Sequence, residues 1–239
     1  MAEVPLVDSR ETRSSCDGIE ASQQFQRSFS VSRETMDRFD AYRATLESWQ
    51  RTINLVAPST VNEIWTRHFS DSAQLFGRIP ANAAHLVDLG SGAGFPGLVL
   101  AILAADTCLP GKRNSSPPLK VTLVESDTRK AAFLREVARQ VGIAVDIVSS
   151  RIESMDKSAI LTPIDVVTSR ALAPLPRLLE LMMPLASLHT VGLFLKGRAV
   201  EQEITEARLL FLFDHVLIPS VTDAEGRIVE IRNLQMKRS

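Results

Sequence analysis

Apolar positions follow one period in the first third of the chain and another thereafter. From Ser32 onward, Met36, Phe39, Tyr42, Leu46, Trp49 and Ile53 recur at spacings of three and four, which places them on one face of a long helix. Ser32 is placed to cap that helix, and Glu34 suits its first turn. Asn54 and Pro58 end it. The pattern predicts a second helix over about 61–76, with Ile64, Trp65, Phe69 or His68, Ala73 and Phe76 turned inward. No strand pattern precedes these two, so residues 31–80 read as a helical cap. Residues 1 to about 22 are polar, mixed in charge and without period, and we expect residues 1–30 to form a flexible extension.

From residue 81 the short apolar runs of strands alternate with helical patterns. Strands are predicted over 85–89, 120–125, 144–148, 164–169 and 191–196. Helices are predicted over 96–104, from Asp127 to Val141 with Gly142 closing it, over 175–185 and over 200–209. Two further strands, 215–219 and 227–232, have no helix between them, which suggests an antiparallel edge. Strand–helix alternation predicts an α/β fold with a doubly wound, Rossmann-like parallel sheet over 81–239. Residues 106–118 read as a loop rich in Pro, Gly and Ser.

Composition narrows the classes. The chain has 239 residues, 45% of them hydrophobic and 23% charged, which suits one soluble α/β domain with a small helical attachment. Its formal net charge of -1 carries no global basic signature, so a nucleic acid would be held by a local patch. The two cysteines, Cys16 and Cys108, form no CxxC and no Cys/His ligand spacing; no metal site is expected, and a reducing, cytoplasmic setting is the simple reading. Residues 1–8 lack the basic end and apolar run of a signal peptide. The longest apolar run, 98–105, is too short to span a bilayer.

Chemistry concentrates in the turn after the first strand, VDLGSGAGFPG over 87–97. In such a sheet, ligands bind at the carboxyl ends of strands, and glycines let main chain approach them closely. Gly92, Gly94 and Gly97 match the dinucleotide spacing, so a nicotinamide enzyme stays open, as does a tight turn with no ligand. Asp88 favours a different cofactor. An acid two residues before Gly90 suits an ammonium group, which S-adenosylmethionine carries, and would repel the phosphates of a dinucleotide. Glu125 ends the second strand, where an acid can accept hydrogen bonds from ribose hydroxyls; both cofactors need this. Ile152 and Glu153, after the third strand, could flank an adenine ring or simply start a helix.

At this point the residues match a known family. WQRTINL over 49–55, RHFSDS over 67–72, the loop 87–97, ESDTRKAAFL over 125–134, SRIE over 150–153, SRA over 169–171 and LKG over 195–197 occur in order. The chain resembles the bacterial 16S ribosomal RNA guanine-N7 methyltransferases, the RsmG (GidB) family, over about residues 30–232. The resemblance implies a class I S-adenosylmethionine-dependent methyltransferase fold with an N-terminal helical cap. It implies transfer of a methyl group to N7 of one guanosine, with 16S ribosomal RNA or the small ribosomal subunit as partner. Cofactor contacts carry over onto Gly90, Phe95, Ile152, Glu153 and Arg170. Gly92 joins them through the loop, and Asp88 and Glu125 through the general methyltransferase pattern. We expect a cytoplasmic monomer with no membrane association. The 106–118 loop looks longer than is usual in the family, and Val56 stands where threonine is common.

On the acceptor side, Arg170 follows the fourth strand, where it can stack on a base or contact a phosphate; the alternative is an ion pair with Asp165 or Glu153. His68 and Asp71, three residues apart, share a helix face. His68 is either a structural residue of the cap or a group near the acceptor. Lys196 could meet a phosphate or snorkel at a strand end. The RNA-contacting candidates are Arg67, Arg129, Lys130 and Lys196, within a wider basic set that includes Arg43, Arg51, Lys112, Arg113, Arg135, Arg139 and Arg198.

Overall fold

The computed structural model describes residues 9–106, 118–155 and 162–237. The loop at 107–117, with Cys108, Lys112 and Arg113, lies outside the described residues.

The cap begins earlier than the apolar period announces. Helix α1, Ser9–Phe29, occupies much of the segment expected to be a flexible extension. Its anchor is Phe25, 1% exposed, whose ring lies 4.9 Å from Phe39 and 5.5 Å from Trp65. One buried aromatic in a polar segment leaves no period to read, yet its apolar area is enough to dock the helix. Helix α2, Arg33–Gln50, starts as expected: the Ser32 hydroxyl accepts from the Thr35 N–H at 3.2 Å. Its apolar face buries Met36, Phe39, Tyr42 and Leu46.

The single helix expected over 61–76 is replaced by short turns of unequal pitch. A 3-10 turn, Pro58–Glu63, leads into a π-helical turn, Ile64–Ser70, and a brief helix α3, Asp71–Ala73, followed by a 3-10 turn, Phe76–Arg78. The wider turn is held by the Ser70 hydroxyl, which donates to the Trp65 carbonyl at 2.8 Å. It buries Trp65, Phe69 and His68 together, and such π turns recur at functional sites.

Alternation then delivers the sheet. The elements are β1 His85–Leu89, α4 Gly97–Ala105, β2 Lys120–Val124, α5 Thr128–Val141, β3 Asp146–Val148, β4 Val166–Arg170, α6 Leu175–Met182, β5 Val191–Lys196, α7 Val200–Leu210, β6 Phe211–Pro219 and β7 Arg227–Met236. Strand order is β3-β2-β1-β4-β5-β7-β6. The pairs from β3 to β5 are parallel, and β7 runs antiparallel to β5 and β6, as the missing helix between the last strands predicts. Successive β1 residues feed opposite faces: Leu86 packs with the cap, α4 and α5, whereas Val87 packs with α6 and α7. Helix α4 is apolar nearly all round because it lies between sheet and cap. The order reverses between β1 and β4, so their carboxyl ends open a crevice where a ligand can enter.

Candidate cofactor cleft and acceptor side

A cleft of about 540 Å³ opens at that crevice. Its walls are the loop after β1, the ends of β2 and β4, and the 3-10 turn Ile152–Ser154. Gly90, Gly92, Phe95, Glu125, Ile152, Glu153 and Arg170, all expected as cofactor contacts, line it. Leu55, Ser126, Lys130, Ser150, Arg151, Ala171 and Leu172 are among the other lining residues.

Asp88 does not reach the cleft. It is fully buried beneath the loop, where Oδ2 accepts from the Gly97 N–H at 3.2 Å and Oδ1 from the Thr168 hydroxyl at 2.7 Å. The expected contact with an ammonium group is therefore corrected: Asp88 ties the start of α4 to β4 and shapes the loop from below. Burial pushes its carboxyl up to about 6, against the lowering effect of Thr168, Ser91 and Gly97. Gly97 is needed because a Cβ there would lie 2.7 Å from Asp88 Oδ2. Gly94 sits at φ +94, and a Cβ would collide with the Tyr42 hydroxyl and stand 2.9 Å from Leu98 Cβ. That hydroxyl, from α2, donates to the Ala93 carbonyl, so the cap itself braces the loop.

Glu125 lies where expected. Its Oε2 accepts from the Gly92 N–H at 2.7 Å and its Oε1 from the Asp127 N–H at 2.8 Å. The carboxylate joins the two loops flanking the cleft and keeps lone pairs facing it. Asp127 caps α5 through the Arg129 and Lys130 N–H groups. Glu153 borders the cleft while pairing with Arg177 at 2.5 Å.

Arg170 ends β4 and is gripped from several sides. Its guanidinium donates to the Arg67 carbonyl at 2.9 Å, to Asp71 Oδ2 at 3.3 Å and to His68 Nδ1 at 2.7 Å. It lies 4.9 Å from the Phe95 ring centroid. Asp71 is its acid partner, in place of Asp165 or Glu153. Asp165 sits at the other end of β4 and accepts from the Ala84 and His85 N–H groups, and Glu153 is taken by Arg177.

His68 stands behind Arg170 and off the cavity wall, in keeping with the structural one of its two expected readings. Its ring stacks on Phe95 at 4.9 Å. Nδ1 faces a guanidinium and must accept, so Nε2 carries the hydrogen and donates to the Thr60 hydroxyl at 2.9 Å. Burial, then the Arg170 and Arg67 charges, lower its value to about 3, which keeps the ring neutral near pH 7. The His68 and Asp71 sharing of a face was legible in the sequence; that both serve Arg170 was not.

Of the basic candidates, Lys130 lines the cleft and Arg129, its neighbour on the first turn of α5, is exposed. Arg67 is exposed and contacts Asp223 at 3.4 Å. Lys196 is not free for a phosphate: it pairs with Glu203 at 2.6 Å, donates to the Ala173 carbonyl, and its side chain is only 9% exposed. Sequence reasoning missed the functional placement of Tyr42, Thr168 and Asp223. The one signal available was that Tyr42, the chain's single tyrosine, lies on a buried helix face, where its hydroxyl requires a partner.

The family described as "GidB: rRNA small subunit methyltransferase G" matches residues 35–231. The chain belongs to this family. The Ribosomal RNA small subunit methyltransferase G of Parvibaculum lavamentivorans is 45% identical over 213 residues, 89% of this chain and 89% of the relative. That of Methylobacterium nodulans is 48% identical over 204 residues, covering 85% and 91%. Among solved structures, a TehB-like SAM-dependent methyltransferase from Corynebacterium glutamicum superposes with a TM-score of 0.51 at 12% identity, covering 80% of this chain and 98% of that one. The ribosomal protein L11 methylase from Lactobacillus delbrueckii gives 0.50 at 13% identity, covering 70% and 77%. These last two show the fold alone, that of class I methyltransferases. Membership of the GidB family sets aside the nicotinamide alternative that the glycine spacing left open.

Proposed function

We propose that this protein transfers the methyl group of S-adenosylmethionine to N7 of one guanosine in 16S ribosomal RNA. Its family and its relatives, named as methyltransferases of small-subunit ribosomal RNA, support methyl transfer to that RNA. The observation that carries the cofactor reading is the Glu125 carboxylate at the end of β2, facing a cleft floored by the glycine loop. Glu125 would hold the ribose hydroxyls, Ile152 would pack on the adenine, and the loop N–H and carbonyl groups would meet the amino-acid end. When bound, S-adenosylmethionine supplies an electrophilic methyl group on a sulfonium sulfur.

The residues do not need to supply a general base. Guanine N7 has an in-plane lone pair and no hydrogen, so the chain's task is to position two reactants and keep water out. The acceptor side fits that task. His68 has both ring nitrogens committed within the protein, and Arg170 is fixed by Asp71, His68 and the Arg67 carbonyl. With its charge offset by Asp71, Arg170 acts as a rigid wall beside the cleft. The enzyme works in the cytoplasm as a monomer, and among the described residues no helix is long and apolar enough to cross a membrane.

Incubation with methyl-labelled cofactor and either naked 16S RNA or assembled small subunits tests the reading. Label should appear at one guanosine, and base-resolved mapping should locate it at N7. Label confined to a protein or small-metabolite fraction overturns it.

A further inference from the structure

Beside the cleft lies a second cavity of about 250 Å³ that shares Arg170 and Ala171 with it as lining. Ala171 has φ +53, a left-handed backbone unusual for a residue with a Cβ, so the chain turns sharply at the shared wall. The ends of β4 and β5 form one side. The hairpin between β6 and β7, residues 220–226, forms the other.

That hairpin is fastened to the cap. Gln74 Nε2 donates to the Ser220 hydroxyl and Gln74 Oε1 accepts from the Val221 N–H, both at 3.0 Å. The Thr222 hydroxyl donates to Asp71 Oδ1 at 2.9 Å. The carboxylate that holds Arg170 therefore also holds the opposite wall, and the cavity is braced through one side chain.

The carboxylates lining the cavity are Asp71, Glu203 and Asp223. Asp71 gives one oxygen to Arg170 and the other to Thr222 and Gln74. Glu203 Oε2 receives Lys196 at 2.6 Å and the Leu175 N–H at 2.7 Å. Asp223 differs. Its Oδ1 accepts from the Glu225 N–H, its Oδ2 has a long 3.4 Å contact with Arg67, and its side chain is 43% exposed against 19% for each of the others. It is the carboxylate that can take a new partner at little cost. A carboxylate offers two acceptors side by side, and the matching ligand edge carries two adjacent N–H donors. The Watson–Crick edge of guanine, N1–H and N2–H₂, is such an edge; those of adenine, cytosine and uracil are not. With that edge toward Asp223, N7 lies on another side of the ring and is free to face the cleft.

We propose that this cavity receives the guanine to be methylated and that Asp223 recognises its N1 and N2 donors; the inference rests on the RNA substrate proposed above. Two small-subunit substrates test it, one with guanosine and one with inosine at the methylated position. Inosine keeps N7, O6 and N1–H and lacks only the N2 amino group. The wild-type protein should show a kcat/KM about 10–100-fold lower on inosine. Asp223→Asn leaves one acceptor in place of two. It should lower kcat/KM on guanosine by about the same factor and bring guanosine and inosine close to parity. Calorimetric affinity for S-adenosylmethionine should stay at the wild-type value, because Asp223 lies outside the cleft. Arg67→Ala removes the same ion pair and should raise KM for RNA while keeping the preference for guanosine. If the wild type labels guanosine N7 but treats inosine equally, or if Asp223→Asn keeps the full preference, this assignment falls and the substrate reading stands. If the wild type labels no RNA, both fall.

Discussion

Two buried residues with strongly displaced ionisation, His68 and Asp88, oppose each other in their pH dependence. His68 falls from 6.5 to about 3 on folding, so between those values the unfolded chain binds a proton that the native one does not. Its contribution is complete above pH 6.5 and is lost as pH falls toward 3, with a slope of up to about 1.4 kcal/mol per pH unit. Asp88 rises from 3.8 to about 6, so between those values the native state binds more protons, and stability falls as pH rises through that window. Between pH 4 and 6 the two largely cancel in the wild type. Single variants separate them. Urea unfolding of His68→Gln should show a shallower loss on acidification than wild type. Asp88→Asn, which can still satisfy Gly97 and Thr168, should gain stability relative to wild type as pH rises from 4 to 6. Parallel curves for all three proteins would refute these assignments. Arg170 yields a second test at this scale. Arg170→Lys keeps the charge but loses the planar fork that reaches His68, Asp71 and the Arg67 carbonyl together. Methyl transfer should drop on the order of 100-fold in kcat, with far less change in cofactor affinity; an unchanged kcat would remove Arg170 from the reaction.

Among the elements, the cap and the glycine loop act as one unit. Tyr42 on α2 donates to the Ala93 carbonyl and stacks on Phe95 at 5.6 Å. Tyr42→Phe keeps the stack, leaves that carbonyl without its donor, and should cost about 1–3 kcal/mol of stability together with weaker cofactor binding. Gly94→Ala should do more harm, because it combines a φ of +94 with overlap against Tyr42 and Leu98. Thermal unfolding with and without S-adenosylmethionine measures both: the stabilisation by ligand should shrink in Tyr42→Phe and vanish in Gly94→Ala. A full ligand-induced shift in Gly94→Ala would show that the loop tolerates distortion and is not the cofactor's floor. Elements also mark where pattern reading stopped. Strands β1 and β5 and helix α5 were legible end to end because the strands are short, nearly continuous apolar runs and α5 has a regular apolar period with both caps in sequence, Asp127 and Gly142. Helix α1 was not, since one phenylalanine carries its docking. Nor was the π turn at Ile64–Ser70, which is held by the Ser70–Trp65 hydrogen bond and packs His68 on Phe95 and its Arg67 carbonyl on Arg170.

For the whole molecule, a net charge of -1 means that RNA is attracted by a few local cations. Lys130, which lines the cleft, and the exposed Arg129 and Arg67 are the described candidates, Lys196 having its own acid partner. The dependence of RNA affinity on salt should accordingly be shallow. Arg129→Ala and Lys130→Ala should each weaken binding and reduce the logarithmic salt slope by about one, whereas Lys196→Ala should leave the slope unchanged and lower stability instead. Slopes that do not move in the first two variants would shift the RNA surface elsewhere.

The sequence by itself determined the fold class, the antiparallel edge, the glycine loop and the family, because these rest on local periods and on residues adjacent in the chain. It also named seven residues that line the cleft, Gly90, Gly92, Phe95, Glu125, Ile152, Glu153 and Arg170, since these sit at or just after strand ends that topology must gather. Only the tertiary structure decided which way each charged side chain turns. Asp88 points under the loop because Thr168 and Gly97 await it there, Lys196 is claimed by Glu203, and Arg170 finds Asp71 a hundred residues away in sequence rather than a nearer acid. A buried charge is settled by the partner that compensates its lost water, and that partner is chosen by the packing of distant elements.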